Sequence, residues 1–111
     1  GTQWTGLGGG NPWQTVTFDG STVITVAAND RYFVDCSSNA GAINLPASPL
    51  VGDQLSFIDM AGNSATNNIT LNRNGKKIQA LTQNMTISTA HAGIALVYTG
   101  TTYGWVLRES L

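Results

Sequence analysis

The sequence predicts an all-β fold, an antiparallel β-sandwich or barrel-like module of about nine or ten short strands behind a Gly/Trp-rich N-terminal arm. Three observations carry this. Short runs of alternating apolar and polar residues recur at roughly 8–12-residue spacing. Clusters of Gly, Asn, Asp and Ser separate them, and these residues favour turns. No window of helical length shows a 3.6-residue period, while the abundant Thr, Val and Ile are β-branched and favour strands.

Taken in order, "GTQWTGLGGGNPW" (residues 1–13) has no period and reads as a linker or arm. Its tryptophans, Trp4 and Trp13, need apolar partners, so the arm is expected to lie on its own domain, a neighbouring copy or a preceding domain. Residues 14–111 form the β-domain. "TVTF" and "TVITVA" flank the turn "DGS", and "NDR" leads into "YFVDC". "SSNAG" precedes "AINLP", and "VGD" precedes "QLSFIDM". "NITLNR" and "KIQAL" are joined by "NGK", an Asn-Gly hairpin turn whose two central residues take positive φ. "MTIST", "GIALVYT" and "WVLRES" complete the series. Ile24 and Val26 share a face, as do Ile69 and Leu71, Met85 and Ile87, and Trp105 and Leu107. In "GIALVYT", Ile94, Leu96 and Tyr98 face one way, yet Ala95 and Val97 are apolar too. That strand is expected to be central or to meet a second subunit.

Composition narrows the function classes. Only 10% of residues are charged, and polarity comes from Thr, Asn, Ser and Gly, as on many extracellular, viral and fibrous β-modules. A net charge of −1 gives no global field to attract nucleic acid or an anionic membrane. No apolar run is long enough to span a bilayer, so neither nucleic acid nor membrane insertion is expected. The single Cys36 leaves no internal disulfide, so packing must hold the fold. No signal-peptide pattern is present, and a start at Gly1 rather than Met suggests a piece of a longer protein.

Candidate chemistry is sparse. Asp53 and Asp59 flank "QLSFI" in the stretch "INLPASPLVGDQLSFIDMAGN" and could be acids or metal ligands. An extended strand sets them roughly 20 Å apart, too far for a carboxylate dyad. Asp59 shares the core face of Leu55 and Phe57, and the loop up to Gly62 offers amides for it to cap. The only histidine, His91, sits in a turn without evident catalytic partners, and Cys36 reads as a small buried hydrophobe. "GLGGG" lacks the strand–helix context and lysine of a phosphate loop. "NIT" and "NMT" match the glycosylation sequon, which has meaning only in a eukaryotic secretory host. No catalytic residue, metal or cofactor is expected. "NRNGKK" places Arg73, Lys76 and Lys77 on a turn. "YTGTTYGW" gathers Tyr98, Tyr103 and Trp105, with Trp105 on the core face beside Leu107 and Tyr103 exposed. Tyr103, Lys76 and Lys77 are the candidate glycan or receptor contacts, and Trp4 and Trp13 the candidate subunit or arm contacts.

Across residues 13–107 the words "NPWQTV", "RYFVDCSS", "INLPASPLVGDQLSFIDMAGN", "NNITLNRNGKKI" and "IALVYTG…GWVL" resemble a small β-module of tailed-bacteriophage structural proteins, of the tail-fibre and virion-appendage type. The resemblance implies a noncatalytic virion component. It also implies a homotrimer, contact with other virion proteins and a share in attachment to a host-surface glycan. The alternative is a carbohydrate-binding module using exposed aromatics, and a hydrolase built on Asp53, Asp59 or His91 is the weakest reading.

Overall fold

A computed structural model of the chain describes residues 11–108. Among these, nine strands and no helix are present: β1 (Trp13–Thr17), β2 (Ile24–Thr25), β3 (Arg31–Asp35), β4 (Gly41–Asn44), β5 (Gln54–Asp59), β6 (Ile69–Asn72), β7 (Met85–Ile87), β8 (Gly93–Tyr98) and β9 (Trp105–Leu107). They form a five-stranded sheet in the order β1-β3-β5-β8-β9 and a four-stranded sheet in the order β2-β4-β6-β7.

The all-β expectation holds, but the sheets are mixed rather than antiparallel. From β1 to β6, consecutive strands alternate between the two sheets, so the chain winds through three coils, each giving one strand to each sheet. Successive coils pair in parallel, with Trp13 beside Arg31 and Arg31 beside Ser56 in one sheet, and Ile24 beside Ile43 and Ile43 beside Leu71 in the other. The corners explain why no hairpins form here. After β1, Asp19 Oδ1 accepts the amides of Ser21 (2.9 Å) and Thr22 (2.7 Å); after β3, Asp35 Oδ1 accepts the Ser37 amide (3.0 Å). These aspartate turns bend the chain out of one sheet and into the other.

Asparagine couples the coils. The Nδ2 groups of Asn39 and Asn67 donate to the carbonyls of Phe18 (3.2 Å) and Cys36 (2.8 Å), each one coil earlier. Across the smaller sheet, Asn84 donates to Asn72 Oδ1 (3.2 Å), Asn72 to Asn44 Oδ1 (2.8 Å) and Asn44 to Thr25 Oγ1 (3.3 Å). In-register parallel stacking of β2, β4 and β6 sets Thr25, Asn44 and Asn72 side by side, so one side chain's donor meets the next one's acceptor, and Asn84 beside the antiparallel β7 extends the row. The low charge and high Asn content thus have a structural use.

The last three strands are antiparallel: β7 on β6, β8 on β5 and β9 on β8. β8 is an inner strand with Ala95, Leu96 and Tyr98 buried, as its doubly apolar sequence requires. "KIQAL" is not a strand. Only Ile78 and Leu81 make isolated bridges, because Gln79 and Ala80 both adopt positive φ (52° and 64°) and fold the segment into a tight turn. The "NGK" turn does take positive φ at Asn74 (51°) and Gly75 (88°), but it does not join two neighbouring strands; β7 is the partner of β6.

Between the sheets lie Val34, Leu55, Phe57 and Leu96 from one and Ile43, Ile69, Leu71 and Ile87 from the other, with Phe18, Val26, Cys36 and Leu45 at the corners. Trp105 and Tyr98 meet at 5.2 Å, both buried as expected. Phe18 lies on Gly41 so closely that a Cβ there would be 2.5 Å from its ring.

Candidate functional site

Asp59, Cys36 and His91 meet around one buried carboxylate. Asp59 ends β5 with 1% of its surface exposed. Its Oδ1 accepts the amides of Gly62 (3.1 Å) and Asn63 (3.3 Å), and its Oδ2 those of Ser64 (3.0 Å) and His91 (3.0 Å). The Cys36 thiol also points at Oδ1, at 3.6 Å. One carboxylate therefore ties the end of β5 to the following loop, to the turn before β8 and to the corner after β3. Burial alone would raise its pKa; the donors around it, from Ser64, His91 and Gly62, outweigh burial and hold it well below the usual carboxylate value. The Ser64 hydroxyl has one proton and donates it to the Thr89 carbonyl at 2.6 Å, so the amides carry most of that effect.

This arrangement brings together Cys36, Asp59 and His91, residue types that could make a nucleophilic site, with both Asp59 oxygens occupied by backbone amides. His91 contributes its backbone amide, and its ring packs over Gly62, where a Cβ would lie 2.3 Å from Nε2. Burial, followed by the Asp59 charge, pushes the Cys36 thiol up to about 11, so it stays protonated near neutrality. Asp53 is a second, local cap, its Oδ2 accepting the Leu50 amide at 2.8 Å. Among the described residues, no group of three His, Cys, Asp or Glu side chains could hold a metal ion.

Two surface features bear on the candidate contacts. The first is the end of the molecule where the turns 50–52, 78–81 and 99–104 converge. Tyr103 is 60% exposed there, together with Leu50, Val51 and Leu81. Lys77 Nζ reaches the Thr102 carbonyl (3.4 Å), so Lys77 and Tyr103 lie on the same rim. Gly104 makes this possible. It has a φ of +73°, and a Cβ would come within 1.9 Å of the Lys77 carbonyl oxygen. Lys76 belongs to the neighbouring Asn-Gly turn, its amide donating to the Arg73 carbonyl (3.1 Å).

The second is on the outer face of the five-stranded sheet. Trp13 is the first residue of β1, stacked on Phe33 with ring centres 4.7 Å apart and planes 12° apart. The Arg31 guanidinium sits 5.2 Å from the Trp13 ring centre. Beside this stack a groove of about 210 Å³ is lined by Trp13, Ser56, Ile58, Gly93, Ala95 and Arg108. The sequence could not show it, because it is made by register across strands far apart in the chain. Trp4, the other tryptophan of the arm, lies outside the described residues.

Comparison with models of known protein families and with curated proteins finds no match to this chain. The fold defines an all-β module whose first three coils stack in parallel and whose last three strands close it in antiparallel fashion.

Proposed function

We propose that this chain is a noncatalytic structural module of a phage virion, such as a tail fibre, spike or capsid appendage. It assembles with copies of itself as a homotrimer and contributes to host-surface attachment. The observation that carries the reading is the asymmetry of the two ends of the sheets. β1 and β2 are the terminal strands at one end, and each belongs to a parallel stack. The Phe18 amide donates to the Asp35 carbonyl (3.0 Å) across the Thr17–Asp35 register. That phase turns the N–H and C=O groups of Val16 and Phe18 toward β3 and those of Thr15 and Thr17 away from it. Among the described residues nothing pairs with that outer edge of β1, which is a template for a further strand. At the opposite end, by contrast, the 77–81 turn covers β9 through the Ile78–Trp105 bridge and the bond from the Gln79 amide to the Trp105 carbonyl (2.7 Å). Among the described residues the β1 edge is uncovered and the β9 edge is covered, which suits a module that meets its copies at the β1 end only.

Two further features support the reading. The carboxylates with the best geometry serve as caps, and the polar surface is built from amides rather than charges, which suits a durable particle component. Mass spectrometry of density-purified particles from the source of the chain tests the virion assignment. Peptides of this chain should co-purify with the major structural proteins; their absence from particles while present in the lysate would overturn it. Exposed Tyr103 beside Lys77 favours a second reading, a carbohydrate-binding module, in which the 99–104 rim stacks on a sugar ring.

A further inference from the structure

The register of the five-stranded sheet builds a line of side chains that no single stretch of sequence contains. Trp13 pairs with Arg31, Arg31 with Ser56, and Ser56 with Ala95. The Arg108 amide donates to the Ala95 carbonyl at 2.8 Å, which sets Arg108 beside Ala95 at the far side of the sheet. The core-facing residues of these strands are Tyr32, Val34, Leu55, Phe57 and Leu96, so the line runs along the outer face. In the next row, Phe33 pairs with Ile58 and Ile58 with Gly93. The middle of the face is low at Ser56, Ala95 and Gly93, with Ile58 beside Gly93 as its one large side chain, and the groove of about 210 Å³ occupies it. One shoulder is the Trp13–Phe33 stack with Arg31 against it, and the other is Arg108.

Both guanidiniums are held by neutral partners. Arg31 Nε donates to the Asn11 carbonyl (2.8 Å), and Arg108 Nη1 to Gln54 Oε1 (2.9 Å). Each is oriented, and neither has its charge neutralised by these bonds. The whole sequence has only five Lys and Arg residues; one of them, Arg108, lines this groove, and a second, Arg31, sits against the Trp13 ring at its aromatic shoulder.

We propose that this groove binds an acidic saccharide, a ring bearing a carboxylate, as found in cell-surface polysaccharides. The small floor admits the ring, the aromatic shoulder packs on its apolar C–H face, and a guanidinium takes the carboxylate in a two-pronged hydrogen bond. A neutral sugar would leave the cationic wall at Arg108 unmatched, and a bare anion would leave the aromatic wall unused. The proposal rests on the attachment reading and places the contact at Trp13 and Arg108, away from the Tyr103 rim.

The test is calorimetric titration of the chain with oligogalacturonate, hyaluronan fragments and oligosialic acid, each beside a neutral oligosaccharide of equal length. At least one acidic ligand should bind, at least tenfold more tightly than its neutral control. Arg108→Gln and Trp13→Ala should each weaken it at least tenfold, while Arg108→Lys, Trp13→Phe and Tyr103→Ala retain most of it. Unchanged melting curves for Arg108→Gln exclude unfolding as the cause. Binding to none of the acidic ligands, equal binding of neutral ligands, or unchanged affinity in both Arg108→Gln and Trp13→Ala would overturn the proposal. A cell-binding assay separates it from the reading beneath it. Host cells that bind wild type and both variants equally keep the attachment role and remove this groove from it; cells that bind none of them remove both.

Discussion

Replacing Asp59 by alanine tests the staple that ties the end of β5 to the loops around it. The carboxylate accepts four backbone amides, from Gly62, Asn63, Ser64 and His91. The Ser64 amide is fully buried and, once orphaned, costs about 1–3 kcal/mol. The other three are only part-buried, so water can reach them and about 0.5 kcal/mol each is a fair charge. The expected loss is about 3 kcal/mol, a large fraction of the roughly 5–15 kcal/mol that holds a domain of this size. Urea denaturation followed by tryptophan fluorescence measures it, and the midpoint should fall with little change in slope. The pH dependence has a fixed sign. Asp59 titrates below its unfolded value, so its contribution is complete above the ordinary carboxylate pKa of about 4 and is lost as pH falls below it. Wild type should therefore lose stability between about pH 4 and pH 2, and Asp59→Ala should lose less over that interval. A loss under 1 kcal/mol, or parallel acid limbs for the two proteins, would refute the account of Asp59 as the staple.

Four other outcomes follow. Gly104→Ala drives a Cβ into the Lys77 carbonyl at positive φ and should cost about 3 kcal/mol in the same denaturation assay. Ala80→Gly relieves a left-handed alanine at φ 64° and should raise stability by about 0.5–1 kcal/mol, read as a higher melting temperature. Cys36, fully buried with its pKa pushed up to about 11, should resist iodoacetamide at pH 8 in the folded chain and react at once in denaturant. Thr15→Pro removes an amide that points away from β3, so the fold should survive while self-association through that edge is lost; sedimentation and far-UV circular dichroism read the two effects separately.

The sequence carried strand positions well and strand partners poorly, for a physical reason. Alternation such as Tyr32 and Val34 inward with Arg31 and Phe33 outward shows that one face is buried, and it looks the same whether the neighbour runs parallel or antiparallel. What distinguishes the winding is the repeat: Trp13 to Arg31 and Ile24 to Ile43 stack at nearly equal sequence offsets, with an aspartate turn closing each corner. The Asn72–Asn44–Thr25 ladder is another trace of it, visible only once register is known. "KIQAL" misled because its apolar spacing suits a strand, whereas the bonds from the Gln79 and Ala80 amides to the carbonyls of Trp105 and Tyr103 hold two residues at positive φ, a constraint imposed from distant sequence. The role of Asp59 was legible, because an acid on a core face beside a glycine loop has few other ways to be satisfied. The groove between Trp13 and Arg108 was not, since it spans nearly the length of the chain.

The central claim is that the β1 edge assembles copies of this module. Light scattering coupled to size exclusion, across a hundredfold range of concentration, measures it most directly. The account predicts a species of three times the 11.7 kDa chain mass that reverts to one chain in Thr15→Pro. A single-chain mass at every concentration, or a trimer that persists in Thr15→Pro, would contradict it.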